Sequence, residues 1–217
     1  MPTAKYPLTL CHTLVFPLRK PILIDMDRSP DHPSQGLSNH FLVAMPGLLD
    51  PNFSHTVIYL CEHSADGAMG LVINDPLDIP ISQIFEQFNI SYAPKIGKQS
   101  LLSGGPVQME RGFVLHSPGN HPWESTLPIS NDIYLTASSD IITDIAKEQG
   151  PNNLIITLGY AGWGPGQLEE ELADNAWLTA PGDADILFHV PFHDRATAAA
   201  AKIGINLNQL SSHVGHA

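Results

Sequence analysis

Short apolar segments rich in β-branched and aromatic residues occur in clusters along this chain, and this arrangement restricts its fold more than any other feature. The segments that favour strands are Phe41–Met45, Thr56–Glu62, Gly70–Ile73, Gly112–His116, Ile133–Thr136 and Leu154–Leu158. Helical periodicity is found in Ile79–Phe88, Ser138–Gln149, Pro165–Asn175 and Asp194–Ile203. Because strands and helices do not alternate regularly, the sequence predicts an α+β fold rather than a doubly wound parallel sheet.

The chain length and the local composition indicate one folded domain. A chain of 217 residues is long enough for one substantial core and short for two ordinary domains. Residues 1–38 contain six prolines and end in the Pro/Ser/Asp/Gly-rich stretch Ser29–Gly36, a composition typical of linkers. We therefore predict a flexible extension over residues 1–38 and a single domain over residues 39–217.

Neither a membrane span nor a secretory signal is predicted. No apolar run reaches the roughly 20 residues that a membrane-spanning helix needs. Leu8–Ile24 is the best candidate for a targeting segment, but prolines and basic residues interrupt it and it lacks a small-residue cleavage site. The expected location is the cytoplasm, without membrane contact.

The charge balance argues against nucleic acid as a partner. The formal net charge is −12, and residues 39–217 hold 19 acidic residues against six basic ones. Binding to nucleic acid draws much of its affinity from Lys and Arg side chains that neutralise phosphates. A surface this acidic would repel a duplex unless its few cations converged on one patch.

The cysteines and histidines do not form a recognisable metal or redox motif. Cys11 and Cys61 form no CxxC pair, and the 11 histidines show no HExxH or HxH spacing. We therefore predict no metal site and no cofactor, with the histidines scattered over the surface. Cys61 shares a strand face with Val57 and Tyr59, so we expect a buried small hydrophobe rather than a reactive thiol.

A glycine-rich turn beside an arginine is the first candidate for ligand binding. Ser103, Gly104 and Gly105 precede a proline, and consecutive glycines let the backbone approach a ligand while exposed amides cradle an anion. Arg111 would supply the charged partner of that anion, or it would instead pair with a buried acid as a structural cation. The alternative for the glycines is a tight turn that joins two elements.

His63 and a second glycine-rich segment are the remaining candidates. His63 lies at a strand end where it could act as a general base, but Glu62 points to the opposite strand face and cannot orient it. Gly159–Gly164 reads as a strand end that passes through a turn into a helix. Tyr160 and Trp163 there would stack on a planar ligand or, alternatively, anchor the core.

Three dense blocks of sequence resemble the YqgE/AlgH family of bacterial proteins. They are Asn39–Asn74, Leu102–His116 and Thr157–Pro181. The resemblance implies an α+β domain with a coiled, partly barrel-like mixed sheet and flanking helices. The family has no settled biochemical role, although its name reflects a suggested link to the transcriptional control of alginate production. The resemblance therefore assigns no catalytic residue.

Three functions remain as hypotheses. The favoured one is a regulatory or binding module that acts through a protein or small-ligand partner and is not an enzyme. The alternative is an enzyme that acts on a polar or anionic small molecule at the glycine-rich turns. Direct binding of DNA or RNA by a transcriptional regulator has the least support, because the chain is acidic.

Overall fold

A computed structural model describes residues 36–119 and 121–210 of this chain. Ten strands lie in this part: β1 (His40–Ala44), β2 (Val57–Ser64), β3 (Gly67–Val72), β4 (Pro76–Pro80), β5 (Ser100–Ser103), β6 (Val107–His116), β7 (Thr126–Pro128), β8 (Tyr134–Thr136), β9 (Leu154–Trp163) and β10 (Trp177–Pro181). The five α-helices described are α1 (Ser82–Gln87), α2 (Asp140–Ala146), α3 (Gln167–Ala173), α4 (Ala184–His189) and α5 (Arg195–Lys202). Short 3₁₀ helices form at Ile96–Lys98, Phe192–Asp194 and Leu207–Gln209.

One curled, half-barrel sheet organises these elements into a single α+β domain, which confirms the predicted fold class. Its main path runs β10-β1-β2-β3-β9-β6-β8-β7, and β4 and β5 branch from β9. Neighbouring strands are antiparallel except β5 and β9, which are parallel, so the sheet is mixed. The long strand β9 lies at the centre, because β3, β5 and β6 all pair with it.

Three apolar clusters fill the spaces between the sheet and the helices. The first joins one sheet face, including Tyr59 and Phe113, to residues of α4 and α5. The second packs Ile84 and Phe85 of α1 and three isoleucines of α2 against β5, β6 and β9. The third joins Leu168 of α3 to Trp163 and Trp177. Burying these side chains is the main stabilising contribution to the fold, at about 25 cal/mol for each Å² of apolar surface.

A buried arginine fixes helix α5 against the sheet. The side chain of Arg195 lies in the interior, where Nε donates to the Val190 carbonyl oxygen over 3.0 Å and Nη1 donates to the Ile73 carbonyl oxygen. Loss of solvation lowers the pKa of this guanidinium to about 10. Arg195 is therefore a structural cation.

Several predicted elements differ from the structure in their bounds, and the missed ones include strands β4, β7 and β10 and helix α4. Helix α1 begins at Ser82 rather than Ile79, because Pro80 belongs to strand β4 and pairs with Ser100. Strand β10 was missed because it is short and only partly apolar. Helix α4 was missed for a different reason: it has six residues, and its start depends on the side chain of Asp183, which accepts hydrogen bonds from the amides of Asp185 and Ile186.

The predicted extension lies outside the described residues except for residues 36–38. The amide of Leu37 donates to Nδ1 of His63, and the amide of His63 donates to Oγ of Ser38. The end of the predicted extension is therefore attached to β2, whereas the character of residues 1–35 stays a prediction. Within the described ranges, no helix has the length and apolar character that crossing a membrane requires.

Candidate functional site

A cavity of about 500 Å³ opens where the β2–β3 hairpin meets strands β6 and β9. It continues the face of the sheet that builds the first apolar cluster, because Met69 and Tyr160 pack on that cluster and also line the cavity. The remaining lining includes Glu62, Ser64 and Asp66 from the hairpin, Gln108, Arg111 and Phe113 from β6, and Gly162 and Trp163 from β9. Concave, largely apolar sites of this size are typical of small-ligand binding.

A wide bulge in β6 carries Arg111 to the cavity. Val107 pairs with Tyr160 and Gly112 pairs with Leu158, so residues 108–111 of β6 face only Gly159 of β9. Gly159 has φ 72°, and a Cβ atom there would lie 2.4 Å from the carbonyl oxygen of Gly105. A glycine is required at this point because only the absence of a side chain lets the chain arch so closely over β9.

The guanidinium of Arg111 is only partly satisfied. Nη1 donates to Oε1 of Gln108 over 3.2 Å, and Cζ lies 5.1 Å from the centre of the Phe113 ring. Nε and Nη2 are buried and have no hydrogen-bond partner within the described part of the chain. Burial lowers the pKa of Arg111, an effect that the nearby Tyr160 and Glu110 partly oppose.

The aromatic walls of the cavity are held in place by their own contacts. Phe113 and Tyr160 pack edge to face with ring centres 5.9 Å apart. The indole N–H of Trp163 donates to Oε2 of Glu171 over 2.9 Å, and Trp177 donates to the same oxygen over 2.7 Å. Phe113 and Tyr160 are therefore set before any ligand enters, whereas the Trp163 ring packs in the third apolar cluster, where Glu171 accepts its hydrogen bond.

Two acidic side chains line the cavity on the hairpin side. Asp66 is exposed at the β2–β3 turn, where its amide donates to Oγ of Ser64 over 3.2 Å. Its carboxylate has no hydrogen bond or ion pair to any residue that the structure describes. Glu62 lies two residues from the turn residue Ser64 and faces the same cavity. The cavity therefore presents a cation on β6 and carboxylates on the hairpin.

His63 lies beside the cavity but does not line it. Leu37 donates to Nδ1 over 2.8 Å, so the hydrogen of the neutral ring is on Nε2, which donates to Oε1 of Glu169 over 2.8 Å. Both ring nitrogens are thus used to tie β2 to α3 and to residue 37. The sequence could not reveal Glu169 as the partner, because the two residues lie 106 positions apart.

Ser103, Gly104 and Gly105 pack against β9 instead of lining the cavity. The Ser103 amide donates to the Asp75 carbonyl over 2.8 Å, and the Gly104 amide donates to the Leu158 carbonyl over 2.7 Å. A Cβ atom on Gly104 would lie 2.2 Å from the carbonyl oxygen of Gly159. These glycines permit close packing of the backbone, and the amides of Ser103 and Gly104 already have partners.

The second glycine-rich segment is a strand rather than a turn. Gly159–Gly164 was predicted to leave the sheet, but β9 continues to Trp163 and helix α3 begins only at Gln167. Pairing with β3 on one side and β6 on the other keeps this segment extended. Tyr160 and Trp163 both line the cavity, as Arg111 does.

The expectation that Cys61 is buried is confirmed, and among the described histidines the expectation of a surface position is wrong for His116. Cys61 is buried, and that burial raises the pKa of its thiol, so the group is an inert part of the core. His116 is also buried rather than on the surface: one ring nitrogen contacts the Ser117 carbonyl over 2.7 Å and the other contacts Oγ1 of Thr136 over 2.8 Å. Loss of solvation lowers the pKa of His116.

A second, more polar cavity of about 630 Å³ lies near the start of α4. Two of the three acids in its wall already have partners. Asp183 caps α4 and pairs with Lys202, and Asp185 lies 3.1 Å from Nδ1 of His189. Among the described residues, no group of three or more His, Cys, Asp or Glu could hold a metal ion. The cavity beside Arg111 is therefore the better candidate for a functional site.

Comparison with known proteins agrees with the fold and the sequence blocks. A family model described as AlgH-like matches residues 41–208. A UPF0301 protein of Thioalkalivibrio sulfidiphilus is 50% identical over 184 residues, which cover 85% of this chain and 98% of that protein. A UPF0301 protein of Chromobacterium violaceum is 48% identical over 185 residues, with 85% and 99% of the two chains covered.

Solved structures give the same result. The solution structure of the AlgH protein from Pseudomonas aeruginosa has a TM-score of 0.70 and 46% identity to this chain, and it covers 88% of this chain and 98% of that one. A crystal structure of a protein from Corynebacterium diphtheriae shares the fold alone, with a TM-score of 0.63, 18% identity, and coverage of 83% and 92%. This chain belongs to the AlgH-like family.

Proposed function

We propose that this protein is a binding module whose cavity takes a small molecule with a carboxylate on an apolar body. The observation that supports this most strongly is the state of Arg111, whose Nε and Nη2 are buried in the cavity wall without a described partner. Burying an uncompensated charge is unfavourable, so an anion that reaches this guanidinium gains more than it would at a satisfied one.

The two unpaired nitrogens suit a carboxylate in particular. Nε–H and Nη2–H point to the same side of the guanidinium and form a planar fork that matches the two oxygens of one carboxylate. Binding requires the side chain of Arg111, which lines the cavity, to rotate so that this fork meets the ligand. A phosphate monoester fits less well, because it carries about two negative charges and the carboxylates of Glu62 and Asp66 would repel it.

The surroundings of Arg111 favour binding over the alternatives. The described regions expose three large apolar side chains, Leu49, Phe192 and Ile203, which are too few to build the large apolar patch that marks a protein interface. The described lining of the cavity contains no His, Cys or Lys that could serve as nucleophile or base beside the acids. A preformed apolar cavity with one polar anchor is the arrangement of a ligand-binding site.

A matched set of probes tests this function. We expect 3-phenylpropionate to bind the wild-type protein in isothermal titration and to raise its melting temperature, because ligand at a hundred times its Kd adds about 2.7 kcal/mol of stability. The neutral analogue 3-phenylpropanol should bind at least about tenfold more weakly, since it offers no charged partner to the guanidinium.

Two variants assign the binding to the cavity. Arg111→Gln should lower the affinity for 3-phenylpropionate by about tenfold or more. Lys147→Gln, which removes an exposed cation at the end of α2, should leave that affinity unchanged. The proposal is wrong if no aryl carboxylate binds, or if Arg111→Gln binds 3-phenylpropionate as well as the wild-type protein does.

A further inference from the structure

We propose that the ligand also carries a cationic amine at the end remote from its carboxylate, so that the cavity selects an amphoteric molecule. This inference rests on the proposed function and names the class of ligand more closely. It follows from where the fold places the charges around one cavity, with Arg111 on β6 and the carboxylates of Glu62 and Asp66 on the β2–β3 hairpin.

The order of strands separates the two kinds of charge. Strand β9 lies between β3 and β6, so the hairpin and the bulge of β6 are two strand spacings apart, or roughly 10 Å across the sheet. A ligand whose carboxylate meets Arg111 therefore extends over Tyr160 and Met69 before its other end reaches the hairpin. An amine next to the carboxylate would be too close to Arg111 to meet Asp66.

The charges of the lining leave a position for a cation. Among the described lining residues, Arg111 carries the positive charge, and Glu62 has a partner of its own, so the carboxylate of Asp66 is the charge that an amine can meet. The carboxylate of Asp66 has no hydrogen bond or ion pair to the described residues. A ligand with a carboxylate alone would pair with Arg111 but would leave the carboxylate of Asp66 without a partner. A ligand with a distal amine pairs with both Arg111 and Asp66.

The apolar middle of the cavity supports the same ligand. Tyr160 presents a half-buried ring beside Phe113, and the face of an aromatic ring attracts a cation that passes over it. An aryl or short alkyl body fits between the charged ends, and Gly162 adds no side chain that would block it. The predicted ligand thus has an acid, an apolar body and an amine in that order.

Two probes of nearly equal shape test the inference. The probe 4-(aminomethyl)phenylacetate carries the distal amine, and 4-ethylphenylacetate carries a methyl group in its place. We expect the amine to bind the wild-type protein about fivefold more tightly at low ionic strength, as one favourable exposed ion pair allows. The ratio of the two affinities should fall as salt is added, because salt screens exposed charges.

The matched variants are Asp66→Asn and Asp132→Asn, which each neutralise one exposed carboxylate. Asp66→Asn should bring the ratio close to one, because it removes the carboxylate that the amine meets. Asp132 lines the other cavity, so Asp132→Asn should leave the ratio of the two affinities unchanged.

The outcomes separate this inference from the proposed function. Binding of 4-ethylphenylacetate that equals or exceeds binding of the amine overturns this inference and leaves the proposed function intact. If Asp66→Asn keeps the full preference for the amine probe, the amine does not bind at the hairpin, and this assignment is overturned. If neither probe binds, both the inference and the proposed function are wrong.

Discussion

Two arginines with buried nitrogen atoms have opposite surroundings in this protein. Arg195 donates to the carbonyl oxygens of Val190 and Ile73, so its charge is part of the packing between α5 and the sheet. Arg111 contacts Gln108 and the ring of Phe113, and two of its nitrogens lack a partner in the described structure. The sequence left two roles open for Arg111, anion binding and structural pairing, and no described ion pair supports the second.

The same substitution at both positions should therefore give different results. Arg195→Met should lower the free energy of unfolding by about 2–3 kcal/mol, because two buried carbonyl groups lose a charged donor. Arg111→Met should change it by less than about 1 kcal/mol, since the lost contact with Phe113 is offset by removal of a poorly satisfied charge. Urea denaturation measures both values. A loss at Arg111 as large as that at Arg195 would make Arg111 a structural cation.

The buried ring of His116 should make stability depend on pH. Its pKa is lowered in the folded protein by loss of solvation, whereas the unfolded chain keeps a value near the ordinary 6.5. Below about pH 6.5 the unfolded state therefore binds more protons, so stability falls as the pH is lowered through this range.

A substitution isolates this effect. Between pH 7.5 and 5.5 the wild-type protein should lose more stability than His116→Gln, by at most about 1.4 kcal/mol per pH unit for one proton. Urea denaturation at several pH values gives the two slopes, and His193→Gln at an exposed position is the control. Equal slopes for the wild-type protein and His116→Gln would contradict the account of this ring.

At the scale of elements, apolar periodicity predicted most strands and helices. It did not predict the bulge in β6 that places Arg111 at the cavity. The segment around Gly159 has the composition of a turn, and local composition cannot show that β3 and β6 will pair with it on both sides. The short helix α4 was also not predicted, because its start depends on hydrogen bonds to the side chain of one residue, Asp183. The conformation of these regions depends on strand pairing and helix capping rather than on the local preference of their residues for strand, helix or turn.

Gly159 and Gly166 provide a test of the bulge. Both have positive φ, at 72° and 76°, but a Cβ atom at Gly159 would lie 2.4 Å from the Gly105 carbonyl oxygen, whereas nothing lies within 4 Å at Gly166. We expect Gly166→Ala to cost about 1 kcal/mol from backbone strain alone. Gly159→Ala should cost at least about 2 kcal/mol more, because the backbone of Gly105 and of the start of β6 must move away.

Chemical denaturation of the two variants makes this comparison. Gly159→Ala should also weaken the binding of 3-phenylpropionate, since the bulge positions Arg111. Equal stability losses at the two glycines would show that the close approach of β6 to β9 contributes nothing to stability.

At the scale of the whole molecule, the α+β class followed from the pattern of elements, and the curled sheet from the family resemblance. The cavity could not be predicted in the same way. Its lining includes Asp66, Arg111 and Trp163, which lie far apart in the sequence. They line one cavity because the β2–β3 hairpin, β9 and β6 are neighbours in the sheet. Arg111, Tyr160 and Trp163 were identified as candidates from their residue types, whereas Asp66 gave no local signal. The ligand-binding roles of all these residues stay predictions.

The distribution of charge over the molecule predicts that nucleic acid does not bind. Residues 39–217 contain six basic residues against 19 acidic ones, and the side chain of Arg195 is buried in the packing of α5. Few phosphates could be neutralised, so we expect a Kd weaker than about 10 μM for DNA or RNA at physiological salt. Fluorescence anisotropy checks this, and submicromolar, salt-sensitive binding would contradict it.

The central claim is that the cavity beside Arg111 binds an organic carboxylate, and two-dimensional NMR tests it most directly. Titration of labelled protein with 3-phenylpropionate should shift signals of residues 66–69, 108–113 and 160–164, together with the side-chain Nε–H of Arg111. The same titration of Arg111→Gln should leave these signals in place. Shifts confined to the polar cavity near α4, or shifts that persist in Arg111→Gln, would contradict the claim.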